Sequence, residues 1–197
     1  MTVHRSAGKK KSQSGQLRIV AGIWRSRLLQ IAELPGLRPT SSRIRETLFN
    51  WLAPQVHGSR CLDLCAGTGA LGIEALSRGA ASVVFVEKSR AAARVLLDNL
   101  AILDTCNARV DVADARDFLT ESPATQFDIV FIDPPFAAGL HDELCRLLVE
   151  KGWLAKNARI YIEFGKDRSE PRLPQAWRVL KNKKAGNVRY MLASAAE

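Results

Sequence analysis

The sequence predicts an α/β protein: an open, mostly parallel sheet with one antiparallel strand near the C-terminus, preceded by a β-hairpin and a helix. Three observations carry that expectation. Between residues 60 and 164, short apolar runs alternate with segments of helical period, and repeated β–α units build parallel sheets with right-handed crossovers. The first of these runs leads into a glycine-rich turn, Gly67-Thr68-Gly69-Ala70-Leu71-Gly72, that opens a helical segment. Towards the end, two strand-like runs flank Lys183-Lys184-Ala185-Gly186-Asn187, the pattern of a closing hairpin.

Taken in order, residues 1–15 are polar and rich in Lys, Ser and Gly, which predicts a disordered basic tail. Leu17 to Val20 and Trp24 to Leu29, separated by Ala21-Gly22-Ile23, read as a hairpin. Residues 33–42 form a loop ending in Thr40-Ser41-Ser42, which can cap a helix. That helix carries Ile44, Leu48, Trp51 and Leu52 on one face, with Arg43, Glu46 and Asn50 on the other. Residues 16–52 are thus expected as an extension and residues 53–197 as the main domain. Strands are expected near 60–65, 82–86, 108–112, 127–132 and 159–164, and helices near 70–78, 89–103, 114–120 and 139–151. Trp177 to Asn182 and Val188 to Met191 form the expected closing hairpin.

Ligands of open α/β sheets bind outside the carboxyl ends of the strands. Asp133-Pro134-Pro135-Phe136 follows the buried run Phe127 to Ile132 and therefore sits at that edge. These residue types suit methyl transfer to an exocyclic amine on a planar ring. Such a nitrogen is a poor nucleophile because its lone pair is delocalised. A carboxylate (Asp133) and a carbonyl (that of Pro134) accepting its two N–H hydrogens would favour pyramidal geometry and free the lone pair. The prolines fix φ and supply no competing N–H, and Phe136 offers a face for stacking. The plain structural reading is an Asp-Pro-Pro turn closing a strand.

The glycine turn matches the dinucleotide fingerprint G-x-G-x-x-G, and Glu87 lies 20 positions beyond Gly67, where an acid typically holds ribose hydroxyls. A nicotinamide or flavin oxidoreductase is therefore an alternative. Asp63, four residues before Gly67, opposes it, since a carboxylate there attracts an ammonium group and repels a pyrophosphate. Such an enzyme would also leave Asp133 to Phe136 without a role.

The chain has 197 residues, enough for one domain with a substantial core, and 47% hydrophobic content is ordinary for a globular protein. It contains no apolar run of membrane-spanning length and no secretory h-region. Cys61, Cys65, Cys106 and Cys145 form no C-x-x-C pair, which points to reduced thiols in a cytoplasmic protein rather than to metal or disulfide. The net charge of +9 is uneven: residues 1–45 carry +9, residues 46–165 carry −5 and residues 166–197 carry +5. Basic ends beside an acidic body suit a polyanionic substrate.

Arg38-Pro39-Thr40, the run from Arg43 to Leu52, Asp63 to Leu76 and Asp133 to Phe136 together resemble the RsmD family of 16S ribosomal RNA (guanine-N2)-methyltransferases, within the class I S-adenosylmethionine-dependent methyltransferases. Gly22 to Arg27 and Gly152-Trp153-Leu154 fit as well, so the resemblance covers nearly the whole chain beyond its start. Cys65 departs from the Phe often found in the family, a packing change. The resemblance implies a Rossmann-like class I methyltransferase sheet and S-adenosylmethionine at its carboxyl edge. Asp63, Ala66, Gly67, Thr68, Gly69, Glu87, Lys88, Asp114, Ala115 and Asp133 would bind it, with Asp63 and the glycine turn at the methionine end, Glu87 at the ribose and Asp114 at the adenine amine. Asp114 also suits a helix N-cap.

The implied substrate is a guanine flipped from its stack in 16S ribosomal RNA of an assembling small subunit, with Asp133, Pro134, Pro135 and Phe136 as catalytic residues. Arg25, Arg27, Arg38, Thr40, Arg43 and Arg45 are the expected substrate contacts. Arg25 and Arg27 rank first, because two strand residues with Ser26 between them project to one face. Arg38 and Thr40 also suit bracing the cofactor pocket. A monomeric, cytoplasmic, metal-free enzyme is expected. Adenine-N6 methylation of DNA or RNA and glutamine-N5 methylation of a protein are the alternatives within the reaction class. A pure RNA-binding protein would leave both motifs idle.

Overall fold

The alternation of apolar runs and helical segments between residues 60 and 164 becomes an alternating parallel sheet. The structure, a computed structural model, describes residues 15–32, 34 and 39–195; the tail before residue 15 and Arg38 lie outside the described residues. The elements are β1 (Gln16–Arg18), β2 (Leu28–Gln30), α1 (Ser42–Leu52), β3 (Arg60–Asp63), α2 (Ala70–Ser77), β4 (Ser82–Val86), α3 (Arg90–Ile102), β5 (Ala108–Asp111), α4 (Ala115–Thr120), β6 (Phe127–Ile132), α5 (His141–Glu150), β7 (Leu154–Gly165), β8 (Trp177–Ala185) and β9 (Val188–Ala195). The seven-stranded sheet has the order β5-β4-β3-β6-β7-β9-β8. Neighbours from β5 to β7 are parallel, and β9 runs antiparallel to both β7 and β8. The chain builds outward through β3, β4 and β5, then returns to add β6 on the other side of β3. That reversal opens a crevice at the carboxyl ends of β3 and β6.

Two apolar layers cover the sheet. On one face Ile44, Leu48, Phe49 and Leu52 of α1 pack with Ile73 of α2 and Leu96 of α3. On the other, Leu119 of α4 and Leu144 and Leu148 of α5 pack with Trp153. Leu17, Ile19 and Leu29 of the N-terminal segment belong to the first layer, so residues 16–52 share one core with the main domain.

The hairpin differs from expectation. The second strand is only Leu28–Gln30, and residues 21–26 are turns and bends. Gly22 adopts φ 86°, and a Cβ there would lie 1.8 Å from the Ser77 carbonyl oxygen. The segment is pinned at that contact: Ile23 donates its N–H to the Ser77 carbonyl, and the Ser77 hydroxyl donates to the Ala21 carbonyl. Ser26 is left-handed at φ 69°, which breaks the extended backbone between Arg25 and Arg27. The two arginines therefore do not share a strand face. The turn that carries them is tied to Ser77 through the N–H groups of Ile23 and Trp24. Helix α2 starts at the carboxyl edge and ends at Ser77, a rise of about 12 Å away.

The closing hairpin is longer than expected. Lys183 and Lys184 continue β8, and a two-residue turn, Gly186-Asn187, joins it to β9. Trp51 is only half-buried and stacks on Tyr190, with ring centroids 5.5 Å apart.

Arg45, expected to meet RNA, is buried at 2% exposure. It donates to the Glu74 carboxylate at 3.0 Å, to the Thr40 carbonyl at 3.1 Å and to the Arg18 carbonyl at 2.8 Å. Glu74 also accepts from the N–H groups of Val20 and Ala21 and from Arg78. Arg45→Met leaves a fully buried carboxylate without its main partner, and should lower stability by about 3–5 kcal/mol in urea unfolding. Arg43→Met, on the exposed face of the same helix, should change it by less than about 0.5 kcal/mol.

Candidate active site

Three carboxylates converge where β3, β6 and β7 end: Asp63 closes β3, Asp133 follows β6 and Glu163 lies two residues before the end of β7. The register pairs Ile132 with Ile162, so Asp133 and Glu163 follow side by side on neighbouring strands. A cleft of about 880 Å³ opens over them, within the range of small-molecule sites. Its walls include Gly67 and Thr68 of the glycine turn, Glu87, Asp114 and Ala115 beyond the next two strands, and all of Asp133 to Phe136. Ala66 and Lys88 complete the set that sequence reasoning assigned to this edge.

Gly69 is the exception. It holds φ 74° at the N-cap of α2, and a Cβ there would lie 2.4 Å from Leu96 Cδ1. It does not line the cleft, and the position requires glycine for its left-handed backbone and its approach to α3.

Each acid has a distinct environment. Asp63 is buried and accepts the Gly72 N–H at 3.0 Å. Burial pushes its carboxyl up to about 7, opposed by that hydrogen bond. Glu87 accepts from the Gly67 and Ser89 N–H groups, both at 2.7 Å, and so ties the glycine turn to the loop after β4. Asp114 caps α4, accepts from Arg116 and pairs with the exposed Lys88 at 2.9 Å; the Arg116 hydrogen bond is the chief reason its carboxyl lies well below the usual carboxylate range. Asp133 is lifted well above that range, first by burial and then by the charge of Glu163. Burial raises Glu163 as well, while the hydroxyls of Tyr161 and Thr40 oppose the rise.

Thr40 lines the cleft at 6% exposure; its hydroxyl donates to Asp133 at 3.1 Å and its carbonyl accepts from Arg45. Cys65 lines the cleft, and burial plus the surrounding acids hold it as a thiol. No ion pair to a described residue neutralises Asp63, Asp133 or Glu163. A pocket with five carboxylates, four of them without an ion pair among the described residues, suits a cationic ligand and opposes a pyrophosphate.

Sequence reasoning missed Glu163, together with Ser41 and Ile44 at the start of α1 and Asn187 in the hairpin turn, all of which line the cleft. Glu163 had a usable signal: it is an acid interrupting the apolar run Ile160-Tyr161-Ile162-Glu163-Phe164 at a strand's carboxyl end. Among the described residues, no group of three or more His, Cys, Asp or Glu forms a candidate metal site, and no helix is long and apolar enough to cross a membrane.

Residues 17–194 match the sequence pattern of a family described as Conserved hypothetical protein 95. The chain is 49% identical over 181 residues to ribosomal RNA small subunit methyltransferase D of Escherichia coli, covering 92% of this chain and 91% of that protein. It is 46% identical over 183 residues to the protein of the same name in Haemophilus influenzae, covering 90% and 93%. The solved yhhF protein of Escherichia coli superposes with a TM-score of 0.87 at 45% identity, covering 92% of this chain and 99% of that one.

The raised Asp63 carboxyl has a thermodynamic signature. Between about pH 4 and 7 the folded protein retains a proton that the unfolded chain has released, so this group's contribution to stability falls as pH rises through that window. Asp63→Asn keeps an acceptor for Gly72 and removes the burden. It should stabilise the ligand-free protein at pH 8 by on the order of 3 kcal/mol, and at pH 4 by little. Thermal melts at the two pH values test this; equal shifts would show that Asp63 is not the titrating group.

Proposed function

The chain belongs to the Conserved hypothetical protein 95 family, the family of ribosomal RNA small subunit methyltransferase D, and from that premise we propose that it transfers a methyl group from S-adenosylmethionine to the exocyclic N2 of a guanine in 16S ribosomal RNA. The observation that carries this reading is the cleft itself, with carboxylates that pair with no described cation and the Asp133 to Phe136 wall beside them.

S-adenosylmethionine would supply a methyl group activated by its sulfonium. The residues present fit it, because its sulfonium and ammonium are both cationic and the cleft is acidic. Asp63 would hold the ammonium, Glu87 the ribose hydroxyls and Asp114 the adenine amine, with Ala66, Gly67, Thr68, Lys88 and Ala115 around them. Asp133 and the Pro134 carbonyl accept from the target amine, and Phe136 stacks on the base. The rate enhancement comes from positioning and preorganised dipoles. Once methylated, the nitrogen is acidic and releases its proton without a dedicated base.

The acceptors act on a nitrogen, so a dinucleotide oxidoreductase would leave them idle. For RNA, Lys183 and Lys184 near the hairpin tip and Arg43 near the start of α1 are exposed beside the cleft, and Lys183 Nζ lies 5.8 Å from the Trp51 ring centroid. They replace Arg25 and Arg27 as the first phosphate contacts.

Purified protein should carry, or take up, an S-adenosyl compound identifiable by ultraviolet absorbance and mass. Ribosomal RNA from cells lacking the protein should lose one N2-methylguanosine; an unchanged modification map would defeat the substrate assignment. Asp133→Ala should cut methyl transfer by at least about 100-fold, with S-adenosylmethionine affinity held within a few-fold by calorimetry. For RNA binding, each phosphate contact removed should lower the slope of log affinity against log salt by about 0.7–0.9. Lys183→Ala/Lys184→Ala should show that loss and Arg25→Ala/Arg27→Ala a smaller one; the reverse order would return the RNA path to the N-terminal turn.

A further inference from the structure

Glu163 stands in the cleft without a part in the chemistry just described. It is 5% exposed, yet it lines the same cavity as Asp133 and follows it side by side across the β6–β7 register. Adjacent strands lie about 4.8 Å apart, so the two carboxylates face one small region. The Tyr161 hydroxyl donates to Glu163 Oε2 at 2.6 Å, which fixes the side chain. A carboxylate has about four lone-pair sites, so Glu163 keeps acceptor capacity towards the cleft. Burying a second acid beside the first is costly, and Tyr161 and Thr40 offset only part of that cost. An arrangement of this kind suits a ligand edge that presents two adjacent donors.

We propose that Glu163 is the specificity residue of the site, its carboxylate accepting the N1–H of the target guanine while Asp133 and the Pro134 carbonyl accept from N2. The inference rests on the guanine-N2 reading above. On the Watson–Crick edge of guanine, N1–H stands next to the N2 amine, and a flipped base is read by hydrogen bonds to that edge. Adenine carries an unprotonated N1 next to its N6 amine. Glu163 would set lone pair against lone pair there, so the same acid that holds guanine rejects adenine. A site built around a substrate N–H can reject an analogue lacking it by roughly 10⁴–10⁵-fold.

The test compares two substrates: small-subunit ribosomal RNA joined from fragments so that the methylated position carries guanine or 2-aminopurine, each assembled with small-subunit proteins. The analogue keeps the N2 amine and replaces N1–H with a lone pair. Wild-type enzyme should favour guanine strongly in kcat/KM. Glu163→Gln keeps the shape and an acceptor for Tyr161, and brings an N–H donor to face N1. In that variant the guanine to 2-aminopurine ratio should fall by at least about 100-fold, with turnover of 2-aminopurine rising in absolute terms and S-adenosylmethionine affinity unchanged. An unaltered ratio, however slow the variant, overturns the proposal, because a merely structural Glu163 would slow both substrates alike. If the variant fails to fold, near-equal use of the two bases by wild-type enzyme overturns it. Wild-type enzyme that methylates guanine N2 while the variant's ratio stays fixed defeats the Glu163 role alone. Wild-type enzyme that leaves guanine N2 untouched defeats the functional reading with it.

Discussion

The buried pair between Arg45 and Glu74 is the constraint from which the site is organised. Glu74 projects from α2, the helix that the glycine turn begins, and takes hydrogen bonds from Val20 and Ala21 of the N-terminal segment, from Arg45 of α1 and from Arg78 one turn on. Arg45 carries the connection further, to the Thr40 carbonyl, and Thr40 passes it to Asp133. Hairpin, α1, α2 and the carboxyl end of β6 are therefore joined by one polar chain inside an apolar layer. Replacing such a pair with apolar residues could be neutral for stability. What it provides here is registration, because the hydroxyl beside Asp133 is placed by a scaffold that runs through Arg45 to Glu74 of α2.

The site's electrostatics invert those of the protein. The chain carries +9 overall, yet five carboxylates surround a single cleft. A polyanion is drawn to the basic surface and a cation to the acidic interior, so the two ligands do not compete for the same charges. The lysines near the cleft mouth lie on the exposed strand β8, and the two basic residues that line the cleft, Lys88 and Arg116, are engaged by Asp114.

Much of this was legible in the sequence because acids at strand ends interrupt apolar runs. Asp63, Glu87 and Asp133 all announce themselves that way, and all line the cleft. Glu163 interrupts a run in the same manner, but no motif surrounds it. Arg45 was misread for a different reason. A charge on a helix suggests solvent, and its partner Glu74 lies 29 residues away, a pairing only tertiary structure creates. The shared face expected of Arg25 and Arg27 is lost through backbone geometry, since the strand expected to align them is broken at Ser26 by positive φ. β8 was read short because an edge strand with both faces exposed has no alternation to betray its length.

That edge strand has a consequence beyond ligand binding. β8 ends the seven-stranded sheet and presents a row of backbone groups with no strand partner among the described residues, with Val179 and Leu180 partly exposed along it. An open edge of this kind is a template for another chain's strand, and lysines are among the means by which proteins blunt it. Arg178, Lys181, Lys183 and Lys184 occupy that row. The same charges that would meet a phosphate backbone would also repel a second copy of this strand, the means by which charged edges oppose edge-to-edge pairing.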